Sequence, residues 1–264
     1  MICFEALSFP EMRQESPVFV PEGVVSQEKT EAVVLRGVDF SETSRIVTFL
    51  TPDRGRMACM AKGVRRRRSA FAGVLDTFNR VELVYYWKDG RQVQTLAEAT
   101  LLDGFPAIKR DPARGVYAGF PLELVYRAAH ENEPSRGLYE ALTAGLSALC
   151  AWSHDVRTHA CWQALRLIGA AGFAPEMEVC VRCGKTLGDA AGFALDGGLC
   201  CLGCRPDRRI AQATQAALRA MSAAATACPV LDAPKELFLL LRDYAARHLE
   251  TDFRSVRVAL EMFG

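Results

Sequence analysis

The sequence predicts an α+β fold in which a small β-barrel precedes an all-helical domain. Short runs rich in β-branched and aromatic residues, separated by turn residues, fill residues 30–107. From residue 108 to 264, apolar residues recur every three or four positions, which is the period of a helix packed on one face. A cysteine-rich insert over residues 176–206 interrupts this helical part. The remaining residues, 1–29, show no clear period and are predicted to form a flexible leader.

Composition narrows the classes of function. The chain has 264 residues, of which 50% are hydrophobic, and a net charge of +1, so the whole molecule is not a polycation. Binding to nucleic acid would therefore require local clustering of charge. The N-terminal residues lack the basic start and apolar stretch of a secretory signal, and no segment approaches the roughly 18 apolar residues of a membrane span. We expect a cytoplasmic protein without membrane contact.

Five short strands are predicted in the barrel region. They are Ala32–Val38, Arg45–Thr51, the run RMACMAKG at 56–63, Arg80–Trp87 and the run RQVQTLAEATLL at 91–102. Two of the connections are tight turns, Pro52-Asp53-Arg54-Gly55 and Lys88-Asp89-Gly90, which place proline and glycine where such turns need them. Five short strands favour an OB-fold barrel, and an SH3-like barrel is the alternative that strand count alone allows.

Helical periodicity is clearest in four stretches. Residues 115–130, 138–152 and 158–173 each carry apolar residues at three- and four-residue spacing. Near the end of the chain, Leu237 and Leu241 share one apolar face with Tyr244 and Leu249. These stretches predict an all-helical domain around the cysteine-rich insert.

The insert carries two CxxC pairs, Cys180 with Cys183 and Cys201 with Cys204, separated by seventeen residues. Each pair can direct two thiolates at one ion, and two pairs complete the tetrahedral shell that Zn²⁺ favours. Because four thiolates leave no position for water or substrate, the zinc is expected to be structural. Redox-active or metal-free thiols are the competing interpretation. Cys200 is an alternative ligand to Cys201, in a looser CxxxC arrangement.

The other cysteines and the histidines carry less information. Cys59, Cys150, Cys161 and Cys228 are interpreted as packing residues, since isolated cysteines in a reducing compartment behave as small apolar side chains. His154 and His159 are five residues apart, which does not place them on one helix face. We expect both at the surface or at helix caps.

A concentrated basic loop is the main functional feature of the barrel region. Its members are Arg54, Arg56, Lys62, Arg65, Arg66, Arg67 and Arg68, and the only acid in that stretch is Asp53. Such a cluster can contact phosphates without regard to sequence, and Phe71 just beyond it can stack on a base. The alternatives are a solvated charged loop or a run that mimics a localisation signal. The other aromatic residues of the region are interpreted as barrel core: Phe40, Phe49, Phe78, Tyr85 and Tyr86.

The chain combines a TPDRG turn, an AKGVRR segment, a VELVYY strand, and the CxxCG and GGLCCLGC elements of the insert. On these motifs, residues 31–264 resemble the RecO family of bacterial DNA repair proteins. The resemblance implies a recombination mediator that binds single- and double-stranded DNA, anneals complementary strands, and acts with RecR to load RecA onto DNA coated by single-strand-binding protein. It also implies association with the nucleoid during repair.

The resemblance assigns the phosphate contacts to Lys62 and Arg65–Arg68, with Arg54 and Arg56 in support. It implies no enzymatic activity, and the chain contains no GxxxxGK[ST], GxSxG or HExxH motif. A nuclease is a weaker hypothesis because no convincing cluster of carboxylates is present. The alternative of a different class is a zinc-stabilised protein-interaction module without intrinsic DNA annealing.

Overall fold

Five strands form the N-terminal part of the computed structural model, which describes residues 25–67, 69–188 and 191–263. They are β1 (Ser26–Asp39), β2 (Arg45–Thr51), β3 (Gly55–Ala61), β4 (Arg80–Trp87) and β5 (Val93–Asp103). All five predicted strands are present, and they close into a barrel in the order β1–β2–β3–β5–β4. Strands β3 and β5 run parallel, and the other four pairs are antiparallel.

The long first strand closes the barrel. Its first half, Ser26 to Val33, pairs with β4, and its second half pairs with β2 as far as Asp39. The register shifts between Val34 and Arg36, and an irregularity of this kind bends a strand so that it can serve both neighbours.

The predicted boundary of the leader needs a correction. Residues 26–29 belong to β1, because they pair with β4 and because the Glu28 carboxylate accepts hydrogen bonds from Arg54 at 2.9 Å and from Tyr85 at 2.8 Å. The expected leader therefore loses its last four residues to the barrel. Residues 1–24 lie outside the described part of the chain.

The barrel interior is filled by alternate residues of its strands. The inward-facing side chains include Val47, Phe49, Cys59, Leu83 and Tyr85, each at most 1% exposed. Fully burying one apolar side chain of this size stabilises the fold by about 1.5–3 kcal/mol. The period-two pattern read from the sequence thus corresponds to the inside and outside of the barrel wall.

Seven helices follow the barrel. They are α1 (Pro106–Arg110), α2 (Pro112–Ala128), α3 (Arg136–Ala151), α4 (Val156–Ala170), α5 (Gln212–Ala223), α6 (Lys235–Leu249) and α7 (Arg254–Phe263) among the described residues. Helices α2 and α4 form the centre of this part: α4 contacts α2, α3, α5 and α6, and α2 also contacts α1 and α7. The four predicted helical stretches correspond to α2, α3, α4 and α6, which confirms a helical C-terminal region. Helix α5 was not among the predicted stretches, although Ala217, Leu218 and Met221 form a buried face at helical spacing.

The barrel and the helices share one apolar core at their junction. Val33, Leu35 and Leu50 point away from the barrel interior and pack in the same cluster as the side chains of α2 and α3. A polar contact reinforces the junction, as the Arg56 guanidinium donates to the Tyr126 carbonyl oxygen at 2.5 Å. The two parts are therefore held by buried apolar area as well as by a hydrogen bond.

The cysteine-rich insert folds as a small three-stranded sheet. Its strands are β6 (Gly192–Ala194), β7 (Gly198–Cys200) and β8 (Arg208–Arg209), in the order β7–β6–β8. The hairpin formed by β6 and β7 connects the two CxxC segments. Among the described residues, no helix has the length and apolar character needed to cross a membrane.

Candidate nucleic-acid interface and metal centre

The basic loop follows β3 and lies on the barrel surface. Lys62, Arg65, Arg66 and Arg67 are all exposed, so their charges face solvent. The Arg65 backbone N–H donates to the Thr43 carbonyl oxygen at 3.3 Å, which ties the loop to the turn between β1 and β2. Arg68 lies outside the described residues. The structure therefore brings four of the predicted phosphate-contacting residues together beside a hairpin turn.

Arg54 and Arg56 are engaged elsewhere. Arg54 donates to both carboxylate oxygens of Glu28 at 2.9 Å and lies 4.0 Å from the centre of the Trp87 ring. Arg56 contacts the Glu131 carboxylate at 3.2 Å in addition to the Tyr126 carbonyl. Both guanidinium groups stabilise the protein itself, so they are not part of the exposed basic cluster.

The aromatic residues are distributed differently from expectation. Phe71 is half-buried and packs against the barrel core, whereas Phe40 is 64% exposed and Tyr86 is 42% exposed. The expectation that Phe40 and Tyr86 belong to the barrel core is wrong, while Phe49 and Tyr85 are buried there. Phe40 begins a polar turn, and Tyr86 lies on the opposite face of β4 from the buried Tyr85. The alternation of inward- and outward-facing positions along β4 was the signal that could have identified Tyr86 as an outward-facing residue.

Phe78 also lies apart from the barrel interior. It is partly buried against the apolar core of the helical domain, and its φ of 75° is in the left-handed region. It therefore belongs to the junction between the two parts.

The four predicted zinc ligands lie together. The Sγ atoms of Cys180, Cys183, Cys201 and Cys204 are all within 4.8 Å of one another. In a tetrahedral site with Zn–S bonds of about 2.3 Å, sulfur atoms are separated by roughly 3.8 Å. The Cys183 and Cys201 sulfurs are 3.8 Å apart. This cluster can hold a metal ion of that size and preference.

Cys200 is outside the cluster. It ends β7 with its side chain fully buried in the apolar core, and the cluster contains its neighbour Cys201. Successive residues of an extended segment point to opposite sides, so only one of two adjacent cysteines can face the cluster. The geometry thus favours the CxxC arrangement over CxxxC.

Backbone N–H groups favour the thiolate form at the cluster. The Cys201 N–H donates to the Cys180 sulfur at 3.3 Å, and this hydrogen bond, with others from the N–H groups of Arg182 and Cys183, lowers the pKa of Cys180 to about 6. A thiolate is the form that ligates metal. Hydrogen bonds that the Cys204 thiol donates to Cys201 and Cys183 instead raise the pKa of Cys204, to about 12.

An arginine links the two CxxC segments around the cluster. The Arg182 side chain donates to the carbonyl oxygens of Cys204 at 3.0 Å and Arg205 at 2.6 Å. It also pairs with the Asp207 carboxylate at 3.3 Å, and that carboxylate accepts a hydrogen bond from the Leu195 N–H at 2.9 Å. These contacts orient the second segment relative to the first.

Cys59, Cys161 and His159 are interior groups, while Cys150 and Cys228 are half-buried against the helical core. Cys59 and Cys161 are fully buried, and burial raises the pKa of Cys59 to about 12, so its thiol stays protonated. The expectation that His159 lies at the surface or a cap is wrong. Its ring is fully buried between Trp152 and Trp162, because α4 is surrounded by other helices.

The family models that match this chain divide it into the same two parts, the barrel and the helical domain. Residues 25–105 match the family model described as "Recombination protein O N terminal", and residues 109–257 match "Recombination protein O C terminal". The chain belongs to the RecO family. The resemblance inferred from the sequence is thereby confirmed, and a role in DNA repair and recombination comes with the family.

Individual RecO proteins are similar over most of the chain. The "DNA repair protein RecO" of a Nocardioides species is 35% identical over 240 residues, which cover 86% of this chain and 97% of that protein. The "DNA repair protein RecO" of Anaeromyxobacter sp. strain K is 34% identical over 180 residues, covering 67% of this chain and 70% of that protein. The similarity therefore extends beyond the barrel into the helical domain.

Proposed function

We propose that this RecO-family chain is a DNA-binding recombination mediator that anneals complementary single strands. The observation that carries the proposal is the exposed basic cluster on the barrel, formed by Lys62 and Arg65–Arg67. Among the described residues, the carboxylate that pairs with this cluster is Asp39, at 3.6 Å from Arg65. The other three charges are available to an external anion, and a polyphosphate backbone presents anions at regular intervals.

An OB fold is the architecture that we assign to the barrel. The strand order β1–β2–β3–β5–β4 with a parallel β3–β5 pair supports this assignment. In OB folds the face of strands 2 and 3 and the adjacent loops bind oligonucleotides. The basic cluster follows β3 and contacts the β1–β2 turn, so it borders that face.

Arg68 continues the basic cluster in sequence and is included in the proposed phosphate contacts. Phe71 is retained only as a residue that packs the loop onto the barrel. Arg54 and Arg56 are assigned a structural role because their guanidinium groups already contact Glu28 and Glu131.

Zinc is the ion that we assign to the cysteine cluster. Four sulfur ligands suit Zn²⁺, and a closed shell of four leaves no position for chemistry. Cys180, Cys183, Cys201 and Cys204 would hold the ion, and its contribution would be to stabilise an insert too small to fold by itself. We therefore assign DNA binding to the barrel and a structural role to the metal in the helical domain.

The family also supports a set of partners. We propose that the chain cooperates with RecR to load RecA, indirectly, onto DNA coated by single-strand-binding protein. We place it in the bacterial cytoplasm and at the nucleoid during repair, in a non-catalytic role. Because the barrel surface carries the basic cluster, the helical domain is the part that we assign to contacts with proteins.

A triple substitution tests the DNA-binding proposal. Replacing Arg65, Arg66 and Arg67 with alanine removes three exposed charges that contact no core residue. We expect weaker binding to single- and double-stranded DNA of any sequence, and slower annealing of complementary strands. The slope of log affinity against log salt should fall by roughly 2 for single strands, since each lost phosphate contact accounts for about 0.7.

A matched control removes the same charge elsewhere. Arg209, Arg247 and Arg257 are exposed in the helical domain, and their replacement with alanine changes the net charge equally. We expect this variant to retain affinity and salt slope. If both variants bind and anneal DNA like the unchanged protein, the zinc-stabilised protein-interaction module becomes the better description.

A further inference from the structure

A cavity of about 520 Å³ lies between the barrel and the helical domain, and we call it the junction cavity. Strand β1 lines it with Leu35 and Arg36, helix α2 with residues between 119 and 127, and helix α7 with its first residue, Arg254. Pockets that hold small ligands have volumes of roughly 300–1,000 Å³. The junction cavity is separate from the basic cluster, because Lys62 and Arg65–Arg67 do not line it.

Three arginines from three different elements line the junction cavity. They are Arg36 of β1, Arg127 of α2 and Arg254 of α7, and all three are exposed. Among the described residues, none of the three guanidinium groups forms an ion pair with a carboxylate. A guanidinium carries five N–H donors and no acceptor. The cavity therefore presents three cations whose donors are open to an external anion.

Glu123 is the carboxylate among the described residues that line the junction cavity, and it is engaged within the protein. One of its oxygens accepts from the Arg254 N–H at 3.3 Å. The other accepts from the Ser255 N–H at 2.9 Å and from the Ser255 hydroxyl at 2.6 Å. These bonds satisfy the first turn of α7, where the helix dipole favours a negative charge. Three guanidinium groups and one carboxylate give the lining a net charge of +2.

The walls of the junction cavity are fixed by packing. Leu35 and Leu122 are 5% and 6% exposed and belong to the apolar core shared by the barrel and the helices. The Tyr126 ring lies 5.0 Å from the Arg56 guanidinium and 5.6 Å from that of Arg127, so it is held beside two cations. A site whose walls are already ordered loses less conformational entropy when a ligand binds.

The charge of the lining selects a class of ligand. A phosphomonoester carries a charge close to −2 at pH 7, because its second pKa is about 6, and it has three strong acceptor oxygens. An internal phosphodiester of DNA carries one negative charge, as does a single carboxylate. Arginine matches phosphate oxygens with pairs of parallel N–H donors. A net charge of +2 with three guanidinium groups therefore favours a phosphomonoester over the other two anions.

Strand β1 connects the junction cavity to the basic cluster. Arg36 lies four residues before Phe40, which opens the β1–β2 turn. In that turn the Thr43 carbonyl oxygen accepts the hydrogen bond from the Arg65 N–H. At about 3.4 Å per residue, the path along β1 from Arg36 to the turn is roughly 14 Å. A DNA strand that ends in the cavity can therefore continue to the basic cluster along one side of the barrel.

We propose that the junction cavity binds the phosphomonoester at the end of a DNA strand, with Arg36, Arg127 and Arg254 contacting its oxygens. This inference rests on the proposed DNA binding and adds recognition of a strand end. The basic cluster contacts internal phosphates, so it does not distinguish a phosphorylated end from a hydroxyl end. A free nucleoside monophosphate carries the same chemical group, and the test includes both sources.

The test compares single strands of about 16 thymidines, the upper range of the site covered by one OB fold. They carry a 5′-phosphate, a 3′-phosphate or hydroxyl groups at both ends, and binding is followed by fluorescence anisotropy at constant salt. We expect a phosphorylated strand to bind about tenfold more tightly than the hydroxyl-ended strand, since one charge-assisted hydrogen bond supplies a factor of that size. Thymidine 5′-monophosphate, titrated by calorimetry, is the free-nucleotide probe.

The decisive variant replaces Arg36, Arg127 and Arg254 with glutamine in the full chain. All three side chains are exposed, so the fold should be retained, which thermal unfolding checks. We expect the variant to bind the phosphorylated and hydroxyl-ended strands equally, and to lose binding of thymidine 5′-monophosphate.

A control variant removes the same charge away from the junction cavity. It replaces Arg110, Arg209 and Arg247 with glutamine, and these residues are exposed and do not line the cavity. The control should keep the preference for a phosphorylated end. The Arg65–Arg67 variant should lose affinity for every strand and keep the ratio between them. An unchanged affinity in the Arg65–Arg67 variant would count against the proposed function and leave the cavity assignment standing.

The inference is overturned if the unchanged protein binds all three strands equally and does not bind thymidine 5′-monophosphate. It is also overturned if the preference for a phosphorylated end persists in the variant without Arg36, Arg127 and Arg254. Binding of the free nucleotide that depends on these arginines, without a difference between strands, would support the phosphomonoester site and identify the nucleotide as its source. Binding of a hexaglutamate peptide in place of the phosphate probes would show a carboxylate site and reject the proposal.

Discussion

Tyr139 of α3 donates a hydrogen bond from its hydroxyl to the Glu31 carboxylate of β1 at 2.8 Å. The same oxygen of Glu31 accepts from Arg80 of β4, also at 2.8 Å. One carboxylate thus joins two barrel strands to the helical domain, beside the apolar junction. The two parts of the chain are coupled by this contact as well as by packing.

The Glu31 contact predicts a dependence of stability on acid. Hydrogen bonds from Arg80 and then from Tyr139 hold the pKa of Glu31 below its usual 4.5. Stability from this group is therefore complete above about pH 4.5 and is lost as the pH falls through the lower pKa of the folded state. Because Glu31 is 44% exposed, we expect a contribution below about 1 kcal/mol.

Urea unfolding of Glu31→Gln measures that contribution. The variant should be less stable than the parent protein at about pH 7, and the difference should shrink below about pH 4. Tyr139→Phe should cost about 1 kcal/mol at neutral pH because it removes one hydrogen bond. A Glu31→Gln difference that is independent of pH would contradict the assignment.

The buried His159 predicts a second effect of pH. Burial, with a smaller contribution from the Arg114 charge, lowers the pKa of His159 to about 4. The unfolded chain takes up this proton near pH 6.5 and the folded chain does not, so stability is complete above that pH. As the pH falls from about 6.5 to about 4, stability should decrease by up to about 1.4 kcal/mol per unit.

Replacing His159 with leucine should remove this slope. The measurement is the free energy of unfolding at several pH values in that window. His154→Leu is the control, since His154 is exposed and should leave the slope in place. If the unfolding free energies of the parent protein and of His159→Leu have equal slopes against pH, His159 takes up its proton in the folded state as it does in the unfolded chain.

Gly55 is required where β3 meets the helical domain. Its φ is +55°, and a Cβ atom there would lie 2.1 Å from the Glu133 carbonyl oxygen and 2.7 Å from that of His130. Both neighbours are backbone atoms and cannot rotate away. We expect Gly55→Ala to cost roughly 3 kcal/mol or more, from the clash and the left-handed backbone together.

Gly90 provides a matched comparison. Its φ is +73° and nothing lies within 4 Å of an added Cβ, so only the backbone term remains. Gly90→Ala should therefore cost about 1 kcal/mol. Urea unfolding of both variants separates the cost of the steric clash from that of the left-handed backbone. Equal losses of unfolding free energy would show that the junction around Gly55 moves to accommodate the added methyl group.

We expect substitutions in the cysteine cluster to lower the stability of the protein before they lower its affinity for DNA. Cys180→Ser and Cys204→Ser should each release the metal and lower the melting temperature, while the folded fraction binds DNA normally. Cys201→Ala should also lose metal, whereas Cys200→Ala should retain it. Zinc content, thermal unfolding and DNA binding are measured together, with and without a chelator. A stable variant without DNA affinity would assign the metal to the interface.

Much of this protein follows from local pattern. Alternation, turn residues and helical spacing predicted the five strands and four of the helices, because each depends on neighbours within a few positions. Two CxxC pairs likewise predicted the cysteine cluster, since their spacing alone lets four sulfurs converge. The basic loop was evident from the concentration of arginine and lysine in one short stretch of the sequence.

Only the tertiary structure decided which of these residues face solvent. Arg54 and Arg65 belong to one basic stretch of the sequence. Glu28, on a distant part of β1, pairs with the Arg54 guanidinium, whereas Arg65 stays exposed. Phe40 and Phe49 are both aromatic residues near β2, but one lies in a turn and the other in the barrel interior. Sequence by itself determined the elements and the four cysteines that could hold a metal ion. The closure of the barrel, which brings distant strands side by side, determined which basic and aromatic side chains face solvent.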